Sequence, residues 1–261
     1  MKEVLKMKIG LRAGHSPNCL GAIGIVNEYE QMKKFYGYIV TLLQQYGHTV
    51  VDCNSNASSE GQELFEGANK ANESGCDLFV SLHMNSFNGS AHGTEVLVSS
   101  SNSTAYPYAK RLVDNYSELG FYNRGVKFQK LYEMNHVSCG NIISEICFCD
   151  SAEDIEVYNK YSWEKLAHVF CNAIDSNIPK NPTNNTTTIK KYYVVTNYLP
   201  HAYDGYDGVD INYVLSYFKG IKTYVRGNAK GVWIETEYLS RQKCEELKKI
   251  LGSWFYEIKE E

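Results

Sequence analysis

The 261-residue sequence has no apolar run approaching the roughly 20 residues a membrane-spanning helix needs, so no transmembrane segment and no membrane insertion are expected. It has no surplus of positive charge. Its 26 Lys and Arg stand against 30 Asp and Glu, a formal net charge of -4, which leaves no electrostatic footprint for a phosphate backbone and sets a nucleic-acid partner aside. The N-terminus carries mixed charges without an apolar core segment or small-residue cleavage site, so the chain is expected to be made in the cytoplasm without a secretory signal peptide. The eight cysteines include no C-x-x-C pair, which argues against a zinc knuckle or a dithiol redox centre. They read as reduced, buried thiols, and a strand through Cys147 and Cys149 would point both to one face. What remains, 43% hydrophobic and 21% charged residues, is the composition of a folded chain long enough for a medium domain and a small one.

The composition breaks once, at Ser176 to Thr188, where Asn, Pro, Ser and Thr dominate. This divides the chain into a first domain over residues 1–176, a linker over 177–189 and a second domain over 190–261. Upstream, short apolar runs alternate with helical patterns: strands at Lys8 to Leu11, Thr49 to Asp52, Asp77 to Ser81, Thr94 to Val98 and Asn141 to Ile146. Helices are predicted at about Glu28 to Tyr46, Ser59 to Ser74, Thr104 to Leu119 and Trp163 to Asp175. The expected fold is α/β, a mostly parallel sheet flanked by helices. Downstream, the order β-α-β-β-α-β (Tyr192 to Asn197, Val209 to Phe218, Lys222 to Arg226, Val232 to Thr236, Arg241 to Leu251, Trp254 to Ile258) suggests a small α+β ferredoxin-like domain.

Four polar residues stand where strands end or helices begin, the places where an open α/β sheet presents ligands. His15 follows the first strand, Glu28 opens the first helix, His83 ends an apolar strand, and Glu145 interrupts another. Each alone has a structural alternative. His15 can be a loop histidine, Glu28 can answer the helix dipole, and His83 can be a satisfied core histidine. Glu145 is harder to dismiss, because a carboxylate is expensive to bury unpaired. Two histidines and one carboxylate form the His₂Glu set that holds a catalytic zinc with one position open for water, and a further carboxylate would serve as base for amide hydrolysis. No compact signature such as H-E-x-x-H fixes the ligands.

Gly14-His15, Asn27-Glu28, Ser81-Leu82-His83-Met84-Asn85 and Ile143-Ser144-Glu145-Ile146-Cys147-Phe148 fall in an order that resembles the amidase-3 family of zinc N-acetylmuramoyl-L-alanine amidases, over about residues 7 to 176. The resemblance implies that His15, Glu28 and His83 bind Zn2+ and that Glu145 is the catalytic acid/base. Glu30, two residues beyond Glu28, would point to another face of the helix. The implied partner is bacterial peptidoglycan, and the implied reaction is cleavage of the amide between N-acetylmuramic acid and L-alanine. The arrangement also resembles clostridial phage endolysins and autolysins, which act at the cell wall after release. Two rival readings stay open: a zinc peptidase cutting within the stem peptide, and a non-catalytic wall-binding protein.

His48, His92, His136, His168 and His201 read as structural or solvent-facing. The second domain has no His/Glu set but many aromatic residues, among them Tyr198, Tyr213, Tyr224, Trp233 and Trp254, with both tryptophans expected in its core. Its element order resembles SPOR-type peptidoglycan-binding domains, which implies a cell-wall-binding role.

Overall fold

The computed structural model describes residues 6–182, 191–199 and 211–260. The chain divides into two compact units, one ending at Thr183 and the next beginning at Asn184. The first unit contains β1 (Lys8–Arg12), α1 (Glu28–Gln45), β2 (Thr49–Asp52), α2 (Glu60–Ser74), β3 (Leu78–Asn85), β4 (Thr94–Val98), α3 (Tyr106–Ser117), β5 (Asn123–Phe128), α4 (Tyr132–His136), β6 (Gly140–Phe148), α5 (Ala152–Tyr158) and α6 (Trp163–Ile174).

Six strands form one sheet in the order β2-β1-β3-β6-β4-β5. Every neighbouring pair is parallel except β4 with β6. The physical reason is connection length. A parallel return needs a crossover of a dozen or more residues, usually a helix, and the chain returns from β3 to β4 through residues 86–93 without one. Strand β5 was not predicted, because Asn123-Arg124-Gly125-Val126-Lys127-Phe128 has no apolar run and bulges against β4 between Thr94 and Val96. Strand β3 also runs past its predicted end, so His83 lies inside it rather than after it.

Alternation along the central strands separates two faces. Ile9, Leu11, Val80 and Leu82 enter the main core, which is closed by residues of α1, α3 and α6. On α1 the buried stripe is Met32, Phe35, Ile39, Leu42 and Leu43. Full burial of each such side chain stabilises the fold by roughly 1.5–3 kcal/mol. Phe79 and Cys53 pack on the opposite face beneath Ala68 and Ala71 of α2. Gly10 keeps that face close, since a Cβ there would lie 3.1 Å from both Cys76 Sγ and Phe79. All eight cysteines are free thiols.

The beginning of the predicted linker belongs to the first unit. Ile178 is fully buried in the main core, and Lys165 Nζ donates to Lys180 O at 2.9 Å and Asn181 Oδ1 at 2.6 Å. Residues 183–189 of that linker, His201 and the first residues of the helix predicted from Val209 lie outside the described residues.

The second unit contains β7 (Tyr192–Thr196), α7 (Ile211–Leu215), β8 (Thr223–Asn228), β9 (Gly231–Thr236), α8 (Arg241–Leu251) and β10 (Phe255–Glu260). Its sheet has the order β10-β7-β9-β8, with every neighbouring pair antiparallel. Val194, Ile234, Cys244, Leu247 and Leu251 form its core, with Trp254 packed at the margin. Trp233 departs from expectation. Ile234 faces the core, so alternation turns Trp233 to the other side, where it meets Tyr198 edge-on at 5.8 Å and donates to Glu235. No helix among the described residues is long and apolar enough to cross a membrane.

Candidate metal centre

The strand-to-loop turn after β1 sets up the site. Gly14 and His15 are both left-handed, at φ 60° and 56°. For His15, a residue with a Cβ, that geometry stores strain of order 1–3 kcal/mol, which the surrounding structure must hold in place. Gly14 is obligatory for a second reason, because a Cβ there would stand 2.4 Å from Leu82 O and 2.7 Å from the His83 ring. Gly21 likewise leaves room, since its Cβ would meet the His15 ring at 2.3 Å.

Glu28 is the first residue of α1, capped by Asn27, whose side chain accepts from Glu30 N at 3.1 Å. Its buried carboxylate is the hub of the site. Oε2 lies 3.1 Å from His15 Nε2 and accepts from Ala22 N at 2.9 Å; Oε1 lies 2.9 Å from His83 Nδ1 and accepts from Met84 N at 3.0 Å. His83 Nε2 sits 2.9 Å from Ser81 Oγ, and the two imidazoles meet edge to face with centroids 4.9 Å apart. Glu30 is exposed on another face of the helix. His15, Glu28 and His83 can offer one ligand atom each with all three atoms within 4.8 Å of one another, the one such cluster of three or more among the described residues. Two imidazole nitrogens and a carboxylate are the donor set of a zinc centre with an open position.

The electrostatics suit a cation. Burial alone would raise the Glu28 carboxyl, but the hydrogen bonds and charges of His15 and His83 pull it far below the usual carboxylate range. Burial disfavours a charged His83, yet the hydrogen bond and charge of Glu28, with Glu145 and Glu133 beyond, lift it to about 9. In the metal-free protein a proton on His83 therefore answers the carboxylates.

Glu145 lies on β6 directly opposite His83 of β3 and Glu95 of β4. Its Oε2 is buried without a hydrogen-bond partner among the described residues. Burial pushes its carboxyl up to about 7, opposed by the charge of His83 and reinforced by Glu28 and Glu95. A carboxyl poised there can take and return a proton near neutral pH. Glu95 is itself engaged by Asn85 Nδ2 at 2.9 Å and Arg124 Nε at 2.7 Å. Exposed Ile25 and Phe87 are tied to residues 149 and 150 through their backbone amides, which places apolar side chains at the same sheet end.

Sequence reasoning missed the charged group beneath this site. Arg12 is fully buried at the end of β1, 3.1 Å from Glu63 of α2 and 2.8 Å from Glu133 of α4. Burial raises the Glu63 carboxyl, with Arg12 opposing. The signal was available, since a charged residue in the strand Lys-Ile-Gly-Leu-Arg poses the same burial problem that singled out Glu145. Arg12→Met leaves both buried carboxylates without their guanidinium partner. It is expected to destabilise the metal-free protein by about 3–5 kcal/mol in denaturant unfolding, and a change below about 1 kcal/mol would refute the pairing. The other described histidines serve elsewhere: His48 Nε2 meets Asp175 at 3.1 Å, His136 Nδ1 meets Tyr132 O at 2.8 Å, His168 Nδ1 meets Pro179 O at 2.7 Å, and His92 lies 3.8 Å from exposed Glu153.

Known proteins resemble part of this chain. An uncharacterized protein of Clostridium perfringens is 34% identical over 175 residues, covering 65% of this chain and 52% of its own length. The chain thus spans about half the length of that curated relative. Among solved structures, the catalytic domain of an endolysin targeting Clostridia Difficile matches with a TM-score of 0.62 and 31% identity, covering 67% of this chain and 99% of that one. The catalytic domain of CwlV, an N-acetylmuramoyl-L-alanine amidase from Bacillus (Paenibacillus) polymyxa, shares the fold with a TM-score of 0.58 at 20% identity, over 66% of this chain and 98% of its own. The family Amidase_3, N-acetylmuramoyl-L-alanine amidase, matches residues 9–176, and with the His-Glu-His cluster and Glu145 inside that span the chain belongs to this family.

Proposed function

We propose that the first unit is a zinc-dependent peptidoglycan hydrolase that cuts the amide between N-acetylmuramic acid and the L-alanine of the stem peptide. The observation that carries this reading is the convergence of His15, Glu28 and His83 on one small volume, with Glu145 opposite His83 in the strand register. His15, Glu28 and His83 would hold the zinc, which when bound supplies Lewis acidity to the scissile carbonyl and acidity to water. Glu145 takes the proton of the attacking water and returns it to the departing amine nitrogen. Glu28, fixed by two backbone amides, keeps both imidazoles oriented. We place the action at the bacterial cell wall, as that of a phage endolysin or an autolysin, a reading supported by the endolysin neighbour.

The second unit is proposed to be a ferredoxin-like, wall-binding domain. Its antiparallel β10-β7-β9-β8 order supports the topology, and exposed Tyr198, Tyr213, Tyr224 and Tyr256 offer rings that stack on sugars. Digestion of purified peptidoglycan is expected to liberate L-alanine amino groups and no new reducing sugar ends. Cleavage inside the stem peptide, or reducing ends alone, would reassign the reaction. A chain ending at Pro182, beyond the buried Ile178, is expected to release the same product while sedimenting less with intact walls. Equal sedimentation would remove the wall-binding role.

A further inference from the structure

We propose that Glu63 is a positioning residue for the metal site: it receives the Nδ1 proton of His15 and so fixes the ring that presents Nε2 to the metal. The inference rests on the zinc reading above and adds a residue from an element that contributes no ligand. His15 Nε2 faces Glu28 Oε2 at 3.1 Å and is the site-side nitrogen. Nδ1 is therefore the atom left to carry the ring proton. That atom is buried and has no hydrogen-bond partner among the described residues, yet Glu63 Oε1 stands 3.7 Å away. Closing the gap to a hydrogen bond takes less than about 1 Å of carboxylate movement.

Glu63 is held where it can do this. It is 1% exposed, on α2, and its other oxygen is paired with Arg12 NH2 at 3.1 Å. Arg12 NH1 is anchored by Glu133 at 2.8 Å, and its NH2 also reaches the His15 carbonyl at 3.5 Å. One guanidinium thus ties the carboxylate and the His15 backbone together. A ring on a left-handed residue has no regular secondary structure to orient it, so a buried acceptor behind it has a specific task. Loss of such an outer partner typically lowers metal affinity about 10- to 100-fold.

The test is zinc affinity, measured by chelator competition on the full chain, for wild type, Glu63→Gln, Glu63→Asp and Glu133→Gln. Glu133→Gln removes the other carboxylate of Arg12 and leaves His15 untouched. Glu63→Gln is expected to weaken zinc binding about 10- to 100-fold, Glu63→Asp to recover part of the loss, and Glu133→Gln to stay within about threefold of wild type. Thermal unfolding of the metal-free proteins reports packing separately. Wild-type affinity in Glu63→Gln overturns the proposal, as does an equal loss in Glu63→Gln and Glu133→Gln, which would assign the effect to Arg12 packing. If Glu63→Gln does not fold, an Asp variant that folds and binds zinc no better than a His15→Ala chain overturns it as well. A wild-type chain that binds no zinc instead fails the underlying metal reading, and is recognised because no variant need be compared.

Discussion

Glu145→Gln is expected to lower peptidoglycan hydrolysis by about 10²- to 10⁴-fold while leaving the zinc content of the protein unchanged. The amide is isosteric with the carboxyl and lies opposite His83 without being one of the three converging side chains, so the candidate donors are kept. What is lost, on the proposed mechanism, is the group that accepts and returns a proton. The same substitution has a second, opposite effect on stability. In the metal-free fold the Glu145 carboxyl titrates at about 7, because burial disfavours its charge. In the unfolded chain it titrates near about 4.3. A folded pKa above the unfolded one contributes stability that is fully present below about pH 4 and is lost as pH rises through 7. Metal-free Glu145→Gln should therefore match wild type near pH 4 and exceed it at pH 8 by roughly 1–3 kcal/mol in denaturant unfolding. Retained hydrolysis would remove Glu145 from the role of base, and a pH-independent stability difference would refute the buried-charge account.

His83→Ala is expected to lose both zinc and hydrolysis, with activity falling by at least about 10³-fold. It removes one of three donors and leaves Glu28 Oε1 with only the Met84 amide. The wild-type counterpart is a pH dependence of metal binding. His83 in the metal-free protein is held protonated up to about 9 by Glu28, so zinc must displace that proton. Zinc affinity should rise about tenfold per pH unit between pH 7 and 9 and level off above. A flat affinity over that range would show that His83 gives up no proton, and a zinc-replete, active His83→Ala would take it out of the ligand set.

The two stability and affinity trends share a cause. A catalytic site concentrates carboxylates and imidazoles in a small buried volume, and without a divalent ion those groups must be neutralised by protons. Glu28, Glu63 and Glu133 are all nearly fully buried, and Arg12 pairs with two of them, Glu63 and Glu133. The carboxylates outnumber it.

Much of this was legible in the chain itself, for identifiable reasons. Short apolar runs placed β2 and β4, and a helical stripe placed α8, at their observed bounds, because a run or stripe between breakers leaves little choice of position. The burial cost of a lone carboxylate in an apolar strand drew attention to Glu145, and the polar residues around strand ends drew it to His15, Glu28 and His83. Strand β5 and the short α4 were not legible, since neither carries an apolar run; β5 is held by pairing with β4, and α4 is tied to β1 by the Glu133–Arg12 ion pair. The linker boundary was read too early, because composition cannot show that Ile178 folds back into the core.

Which residues can do chemistry and which segments must bury a face could be read along the chain, because both follow from side-chain type and local spacing. Which distant groups meet depends instead on how the strands and helices assemble. That assembly set β6 beside β3 so that Glu145 opposes His83, and reversed β4 so that Glu95 lies on its other side. It also brought Arg12, Glu63 and Glu133 from a strand and two helices into one buried ion cluster. Those encounters are set by sheet order and crossover length, which no local pattern encodes.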